Sequence, residues 1–365
     1  MVGVGMVSIS LERKTTPLIS KIEMDDLTNE LIAPFDYQSD GVEVFYPFSI
    51  PKDLPQTYNL GVIVGASGTG KSTLLQEFGD VEKQPQWLKE KSIASHFETA
   101  NDAAERLCAA GLMSIPEWVK SFDSLSNGQK FRANLARQLK NNAVIDEFTS
   151  VVDRNVAKSA SVAMSRYIKN NEIQKVVLAT CHRDVLEYLE PDWVIDTDRG
   201  EWYSGRSLRR PNLVLTIYPA NWRIWNNFSR HHYLSEKLNT ASHNFIAIWE
   251  GKLVGFISVM SFPSGTLKNS FREHRLVINP DFQGFGFGHI LSESVAQIYR
   301  DNGKRFFSKT SHPRLGEYRD NSDLWRATSK NHLIRKDGQN STLTRWKINQ
   351  NRWSYSHEYI GVSND

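Results

Sequence analysis

The stretch Leu60-Gly-Val-Ile-Val-Gly-Ala-Ser-Gly-Thr-Gly-Lys-Ser-Thr-Leu-Leu-Gln-Glu-Phe78 decides the fold of the first half of the chain. Leu60 to Val64 is a short apolar run closed by glycine, which reads as a buried strand, and Leu74 to Phe78 reads as a helical run. Between them lies a loop of small residues with one cation. Strand, loop and helix in this order form a cradle for phosphate, in which glycines let main-chain N–H groups wrap the anion, Lys71 supplies a point charge and the Ser72 hydroxyl ligates magnesium. The candidate contacts are Gly65, Ser67, Gly68, Thr69, Gly70, Lys71, Ser72 and Thr73. A glycine-rich turn that merely opened a helix would need neither Lys71 nor Ser72 at those offsets.

Downstream, Leu125-Ser-Asn-Gly-Gln-Lys130 leads into a helical run in which Phe131, Leu135, Ala136 and Leu139 share one face. Asn142-Ala-Val-Ile-Asp-Glu-Phe148 reads as a short buried strand ending in two acids. Asp146 is placed to hold the metal through water, and Glu147 to orient or activate an attacking water. Val176 to Thr180 is a further apolar strand, and His182 follows its C-terminal end, where doubly wound sheets bind their ligands and where it can sense a terminal phosphate.

These elements, with the Walker A loop first and a Walker B strand later, resemble the ABC ATPase family over most of residues 40–200. The resemblance implies that Leu125 to Gln129 is the family signature with Asn127 in place of its first glycine, Ser126, Gly128 and Gln129 keeping its phosphate-facing features. It further implies that Asp153 is the D-loop acid, Glu147 the catalytic glutamate and His182 the switch histidine. ATP and Mg2+ are the implied cofactors, and a homodimer sandwiching ATP between the phosphate loop of one copy and the signature of the other is expected. Two features depart from the pattern. About 50 residues separate Thr73 from the signature, and no glutamine loop is obvious: Gln84 and Gln86 come early, with Ser95-His96 as a stand-in. Tyr46 is positioned upstream to stack an adenine, unless it and Phe45 are core residues.

A turn and hairpin over 190–203 close this half. Ser204-Gly-Arg-Ser-Leu-Arg-Arg-Pro211 is polar, basic and proline-terminated, which marks a domain junction near residue 211. Arg206, Arg209 and Arg210 are either a solvated linker or the start of a basic groove.

In the C-terminal half, Asn244 to Trp249 and Leu253 to Val259 form a hairpin, and His274 to Asn279 a strand. Pro280-Asp-Phe-Gln-Gly-Phe-Gly-Phe-Gly288 then enters a helical run from His289 to Tyr299. Free N–H groups at such a helix start bind pyrophosphate, and glycine removes the side chain that would block it. The loop alone would also serve a dinucleotide. Hairpin, strand, Gln283-x-x-Gly286-x-Gly288, helix and the strand Arg305 to Lys309 together resemble motif A of the GNAT acyltransferases over roughly 215–330. Acetyl-CoA or another acyl-CoA is the cofactor this implies, with Gln283, Gly284, Phe285, Gly286 and Gly288 at its pyrophosphate and Ile278 on the strand beside the pantetheine arm. His231, His232 and His312 are candidate general bases, and Tyr318 the acid that protonates the departing thiolate, as a tyrosine does in many members of that family. The His232-Tyr-Leu-Ser235 run followed by this motif also resembles Mom-type phage proteins, GNAT relatives that modify DNA adenine.

Composition agrees with two globular domains. The chain has 365 residues, 40% hydrophobic and 23% charged, enough for two cores. Its net charge is +3. That sum hides an asymmetry, since residues 213–365 carry 20 Lys and Arg against 12 Asp and Glu. A basic half carrying Arg345-Trp-Lys347 and Arg352-Trp-Ser-Tyr355 suits stacking on bases of DNA or RNA, or is a closing strand with packed aromatics. No apolar run reaches the roughly 20 residues of a membrane-spanning helix, the first residues lack a secretory pattern, and the two cysteines, Cys108 and Cys181, are too few for a disulfide framework. A soluble, cytoplasmic protein without a membrane partner is expected.

The expected fold class is α/β, a P-loop ABC-type nucleotide-binding domain over 1–211 followed by an α+β GNAT-like domain with a mixed central sheet over 212–365. The leading functional expectation is an ATP-hydrolysing protein with a fused acyltransferase acting on a large substrate such as a nucleic acid. The alternatives are a nucleic-acid-associated ATPase whose second domain only binds, and a transporter ATPase subunit.

Overall fold

The computed structural model describes residues 8–35, 39–232, 237–263, 267–334 and 353–361. The chain forms two compact units, Met1–Gly111 with Ser121–Pro211, and Leu112–Lys120 with Asn212–Asp365. The mixed α/β class expected from the sequence is what the two sheets show. The nine residues 112–120, which the sequence reading assigns to the first domain, go with the second unit.

The described elements of the first unit begin with β1 (Ser8–Ser10), β2 (Leu18–Lys21), α1 (Asp26–Ile32), β3 (Val42–Phe45), β4 (Leu60–Val64), α2 (Lys71–Leu75) and α3 (Ala100–Ala109). The short α4 (Ile115–Trp118) belongs to the second unit. Then follow α5 (Asn127–Gln138), β5 (Val144–Ile145), α6 (Arg154–Asn170), β6 (Val176–Thr180), α7 (Leu186–Leu189), β7 (Trp193–Asp196) and β8 (Glu201–Ser204). The main sheet runs β1-β8-β7-β4-β6-β5. β4 is parallel to both neighbours and β5 to β6, while β8 and β1 add an antiparallel edge. All five residues of β4 are buried, as a parallel strand covered on both faces requires. Gly61 is there for space: a Cβ on it would lie 1.9 Å from the Trp193 ring, which also stacks on Phe78 at 5.3 Å. Because β4, β5 and β6 run in one direction, the loops after Val64, Ile145 and Thr180 meet at one sheet edge, and these loops hold the candidate phosphate residues.

The second unit is built on a sheet ordered β14-β16-β13-β12-β11-β10-β9, with β15 paired to β16. Its strands are β9 (Thr216–Ala220), β10 (His243–Trp249), β11 (Lys252–Ser261), β12 (Ser270–Ile278), β13 (Arg305–Thr310), β14 (Trp325–Ala327), β15 (Leu333–Ile334) and β16 (Trp353–Tyr359). Helix α8 (Phe287–Asp301) connects β12 to β13, and α9 (Pro313–Asp320) follows β13. The parallel pair β12 and β13 is joined only at Ser270–Arg272 against Arg305–Phe307. Past that point the two strands part. β12 also carries a bulge against β11, where Ser258 faces Arg275 and Val259 faces Glu273, so His274 is the extra residue. A bulge bends and twists its strand, and here it falls where the pairing to β13 stops. The wedge so opened is filled by a buried polar cluster. Arg319 Nη2 donates to Glu273 Oε2 at 3.0 Å and to Ser292 Oγ at 2.8 Å, and its Nη1 donates to Ser308 Oγ. Aromatic packing of Trp249 with Phe285 and Phe287, at 4.9 and 5.4 Å between centroids, fixes the loop before α8.

Candidate functional site

In the first unit, a cavity of about 420 Å3 gathers Ser67, Gly68, Gly70, Lys71, Ser72, Thr73, Asp146 and Glu147. Gly68 and Gly70 have φ of 81° and 89°, the left-handed conformation that turns successive N–H groups inward and that glycine adopts without strain. At Gly70 a Cβ would also sit 2.5 Å from the Phe45 ring. Phe45, rather than Tyr46, lines the cavity; Tyr46 is exposed. Two loop residues face elsewhere. Gly65 lets the chain pass Thr197, whose Oγ1 would be 2.1 Å from a Cβ, and Thr69 Oγ1 pairs with Thr197 Oγ1 at 2.7 Å. Lys71 Nζ donates to Ala66 O at 2.5 Å, holding its ammonium over the loop.

The acidic end of β5 is strained. Glu147 and Thr149 have φ of 51° and 70°, costly conformations for residues with a Cβ and most costly for β-branched threonine. Thr149 is fully buried. Its Oγ1 meets His182 Nδ1 at 3.0 Å, while the His182 main-chain N–H donates to Thr180 Oγ1 at 3.1 Å. Burial, then the Arg154 cation, holds the His182 imidazole below its ordinary pKa, so it is neutral at pH 7 and one ring nitrogen is tied to Thr149.

The signature-like turn lies outside that cavity. Ser126 caps α5 through a reciprocal box, Gln129 N donating to Ser126 Oγ at 3.3 Å and Ser126 N to Gln129 Oε1 at 3.0 Å. Gly128 approaches Val156 closely. Asn127 lines a second cavity with Gln84, Asp146 and Glu147. Of the early glutamines, Gln84 lines this cavity: Val81 bridges Val144 as a further parallel edge, and Gln84 comes just after it, its Oε1 accepting from Asn134 Nδ2 at 2.7 Å. His96 instead closes its own loop, Nε2 accepting from Leu88 N and Nδ1 bonding Ser92 O. Two of the three linker arginines are engaged, Arg210 with Glu190 at 2.8 Å and Arg209 with main-chain carbonyls.

In the second unit the loop after β12 repeats the device. Gly284 and Gly286 have φ of 109° and 91°, and Gly286 directly precedes the first turn of α8. A Cβ at Gly288 would meet only ordinary van der Waals contact, from Ile278 at 3.7 Å. Phe285 is fully buried, so only its main chain is available to a ligand. The Gln283 side chain donates from Nε2 to Ile278 O at 3.1 Å and accepts on Oε1 from Met113 N at 3.0 Å. This loop stands at the open end of the wedge between β12 and β13.

The histidines separate. His232 is buried edge-on to Trp225 at 5.6 Å, and burial with the Arg275 cation pushes it down to about 4. His231 accepts from Arg230 Nε at 3.1 Å, and burial followed by that cation lowers it as well. His312 follows β13; its Nε2 meets Met113 O at 3.2 Å and its buried Nδ1 has no partner among the described residues. Tyr318 on α9 donates to Glu293 Oε1 at 3.0 Å and lies over the His289 ring at 3.7 Å. Burial, then the Glu293 carboxylate, pushes the phenol up to about 12, keeping its proton at neutral pH. His274, at the bulge, was not singled out from sequence, because a bulge leaves no signal in the residue pattern. In the tail, Tyr355 packs over Gly316 as a closing-strand aromatic does. Tyr233 to Ser235, Arg345, Trp346, Lys347 and Arg352 lie outside the described residues.

Residues 212–318 match the acetyltransferase (GNAT) family model. No curated protein matches the chain. Among solved structures, an ATP-binding cassette, MJ0796 in a dimeric post-hydrolysis state, is similar at 14% identity and a TM-score of 0.35, over 53% of this chain and 94% of that one. An IAA acetyltransferase from Bacillus cereus is similar at 13% identity and a TM-score of 0.30, over 40% of this chain and 99% of that one. The ribosomal-protein-S18-alanine N-acetyltransferase from Escherichia coli is similar at 14% identity and a TM-score of 0.29, over 42% and 97%. The family match is confined to residues 212–318, within the second unit.

Proposed function

We propose that the chain binds and hydrolyses ATP in its first unit and transfers an acyl group from acetyl-CoA, or another acyl-CoA, in its second, acting on a large substrate such as a nucleic acid. The observation that carries this is the repetition of one device: a strand, a loop with a left-handed glycine next to the helix start, and the helix, once at Gly70 and once at Gly286. Around the first stand a cation and two acids; beside the second, two parallel strands part.

At the first site, Lys71 and the loop N–H groups hold phosphates, and Ser72 with Asp146 supplies the hard oxygen ligands that suit Mg2+. Bound magnesium supplies charge neutralisation on the phosphates. Glu147 orients the attacking water, and His182, fixed by Thr149, turns its other nitrogen to the terminal phosphate. Ser126 and Gly128 serve the partner copy's nucleotide, which makes the working form a homodimer. At the second site, Gly284, Gly286 and Gly288 receive pyrophosphate and Ile278 lies beside the pantetheine arm. An acyl-CoA supplies the activated thioester. His312 or His231 takes the acceptor's proton, and Tyr318 holds the proton that the departing thiolate needs. The excess of Lys and Arg in this half favours a polyanionic acceptor.

Glu147→Gln is the direct test. The variant is expected to bind ATP, lose at least a hundredfold of its turnover and accumulate as a dimer with ATP on size-exclusion chromatography. A monomeric variant with full turnover excludes the ATP sandwich.

A further inference from the structure

We propose that residues 112–120 are a strap that sets the transfer cleft, so that nucleotide binding in the first unit changes acyl-CoA binding in the second. The inference rests on the functional reading above and adds to it a route of coupling.

Met113 N donates to Gln283 Oε1 at 3.0 Å, and Met113 O receives His312 Nε2 at 3.2 Å. Gln283 opens the glycine loop that follows β12, and His312 stands two residues after β13. A single amino acid therefore ties both arms of the wedge, and neither arm can shift without changing its bond to Met113. The same contact sets chemistry at His312. To bond a carbonyl, Nε2 must carry the proton, which leaves Nδ1 as the lone-pair nitrogen of the neutral ring. Nδ1 is buried without a partner among the described residues.

The strap is built to move as a piece. Trp118 Nε1 donates to Leu112 O at 2.8 Å, closing the segment on itself, and the Trp118 ring lies 6.4 Å from that of His312. Glu117 within it is buried. The chain belongs to the first unit up to Gly111 and again from Ser121, and Ser126, the cap of α5, follows shortly after. Between Lys120 and Ser126 a fully extended chain spans at most about 20 Å. The turn that the proposed function sets against the partner's nucleotide thus holds the strap by a short tether, and a displacement of α5 must be taken up by that tether or passed to Met113.

The test uses the full chain, with acetyl-CoA and AMPPNP-Mg2+ as probes in isothermal titration. In the wild type, saturating AMPPNP is expected to change the acetyl-CoA Kd about fivefold to a hundredfold, and acetyl-CoA to change AMPPNP affinity by the same factor, as linkage requires. Met113→Pro removes the N–H that Gln283 receives and is expected to abolish this mutual effect while both ligands still bind; Met113→Ala keeps both main-chain groups and is expected to retain it. Gln283→Leu breaks the same bond from the other side and serves if the proline variant does not fold; because Gln283 belongs to the proposed pyrophosphate loop its acetyl-CoA affinity falls as well, and the readout is the ratio of acetyl-CoA Kd with and without AMPPNP. Two ligands that bind wild type independently of each other, or undiminished coupling in both Met113→Pro and Gln283→Leu, overturn the strap. Failure of either ligand to bind the wild type overturns the functional reading itself, and the strap with it.

Discussion

His232 and His274 show how burial decides what a residue does. Burial first, then the Arg275 cation, pushes both imidazoles down to about 4 from an ordinary 6.5. Between pH 6.5 and 4 the unfolded chain takes up these protons and the folded chain does not. Stability from these groups is therefore complete above pH 6.5 and is lost as pH falls toward 4. The thermal midpoint of the second unit is expected to drop across that window, and the drop to be smaller in a His232→Phe, His274→Gln variant; equal drops would show that other groups govern it. At this scale the sequence is legible where chemistry demands one residue type at one offset. Lys71, Ser72, Gly70 and Gly286 are such positions. His232 is not, because its surroundings are fixed by Trp225 and Arg275, one of them distant in sequence.

At the scale of elements, the wedge between β12 and β13 depends on a buried ion pair standing where ladder bonds would otherwise run. Arg319 is 1% exposed and the Glu273 side chain 7%. Removing one partner leaves the other charge buried, which costs about 3–5 kcal/mol, whereas removing both is far milder. Arg319→Met is expected to lose about that much in urea unfolding of the second unit, and Arg319→Met with Glu273→Gln to regain most of it. An unaltered single variant would show that the pair does not support the wedge. The strands β4, β6, β10, β11 and β13 and helix α8 can be read from apolar runs and glycine punctuation. The wedge cannot, since it arises from a bulge and from pairing that stops after three residues. The placement of Gln84 is illegible for a related reason: the pairing before it is a single bridge at Val81, too short for periodicity to show.

For the whole molecule, the two halves are legible because each carries a glycine loop between a strand and a helix, and because composition shifts between Tyr203 and Pro211. The assignment of residues 112–120 to the second unit is not legible, as nothing in an amphipathic pattern tells which of two cores a nine-residue excursion joins. The account requires two separate ligand sites in one chain, and binding of acetyl-CoA to full-length wild type and to Gly286→Glu, with AMPPNP titrated in parallel, tests this most directly. Glutamate at position 286 must adopt a φ near 91° and brings a carboxylate to the glycine loop. The expected result is acetyl-CoA binding by the wild type, its loss in the variant by at least a hundredfold, and equal AMPPNP affinity in both. Equal acetyl-CoA binding by the two proteins, or none by either, would contradict the account.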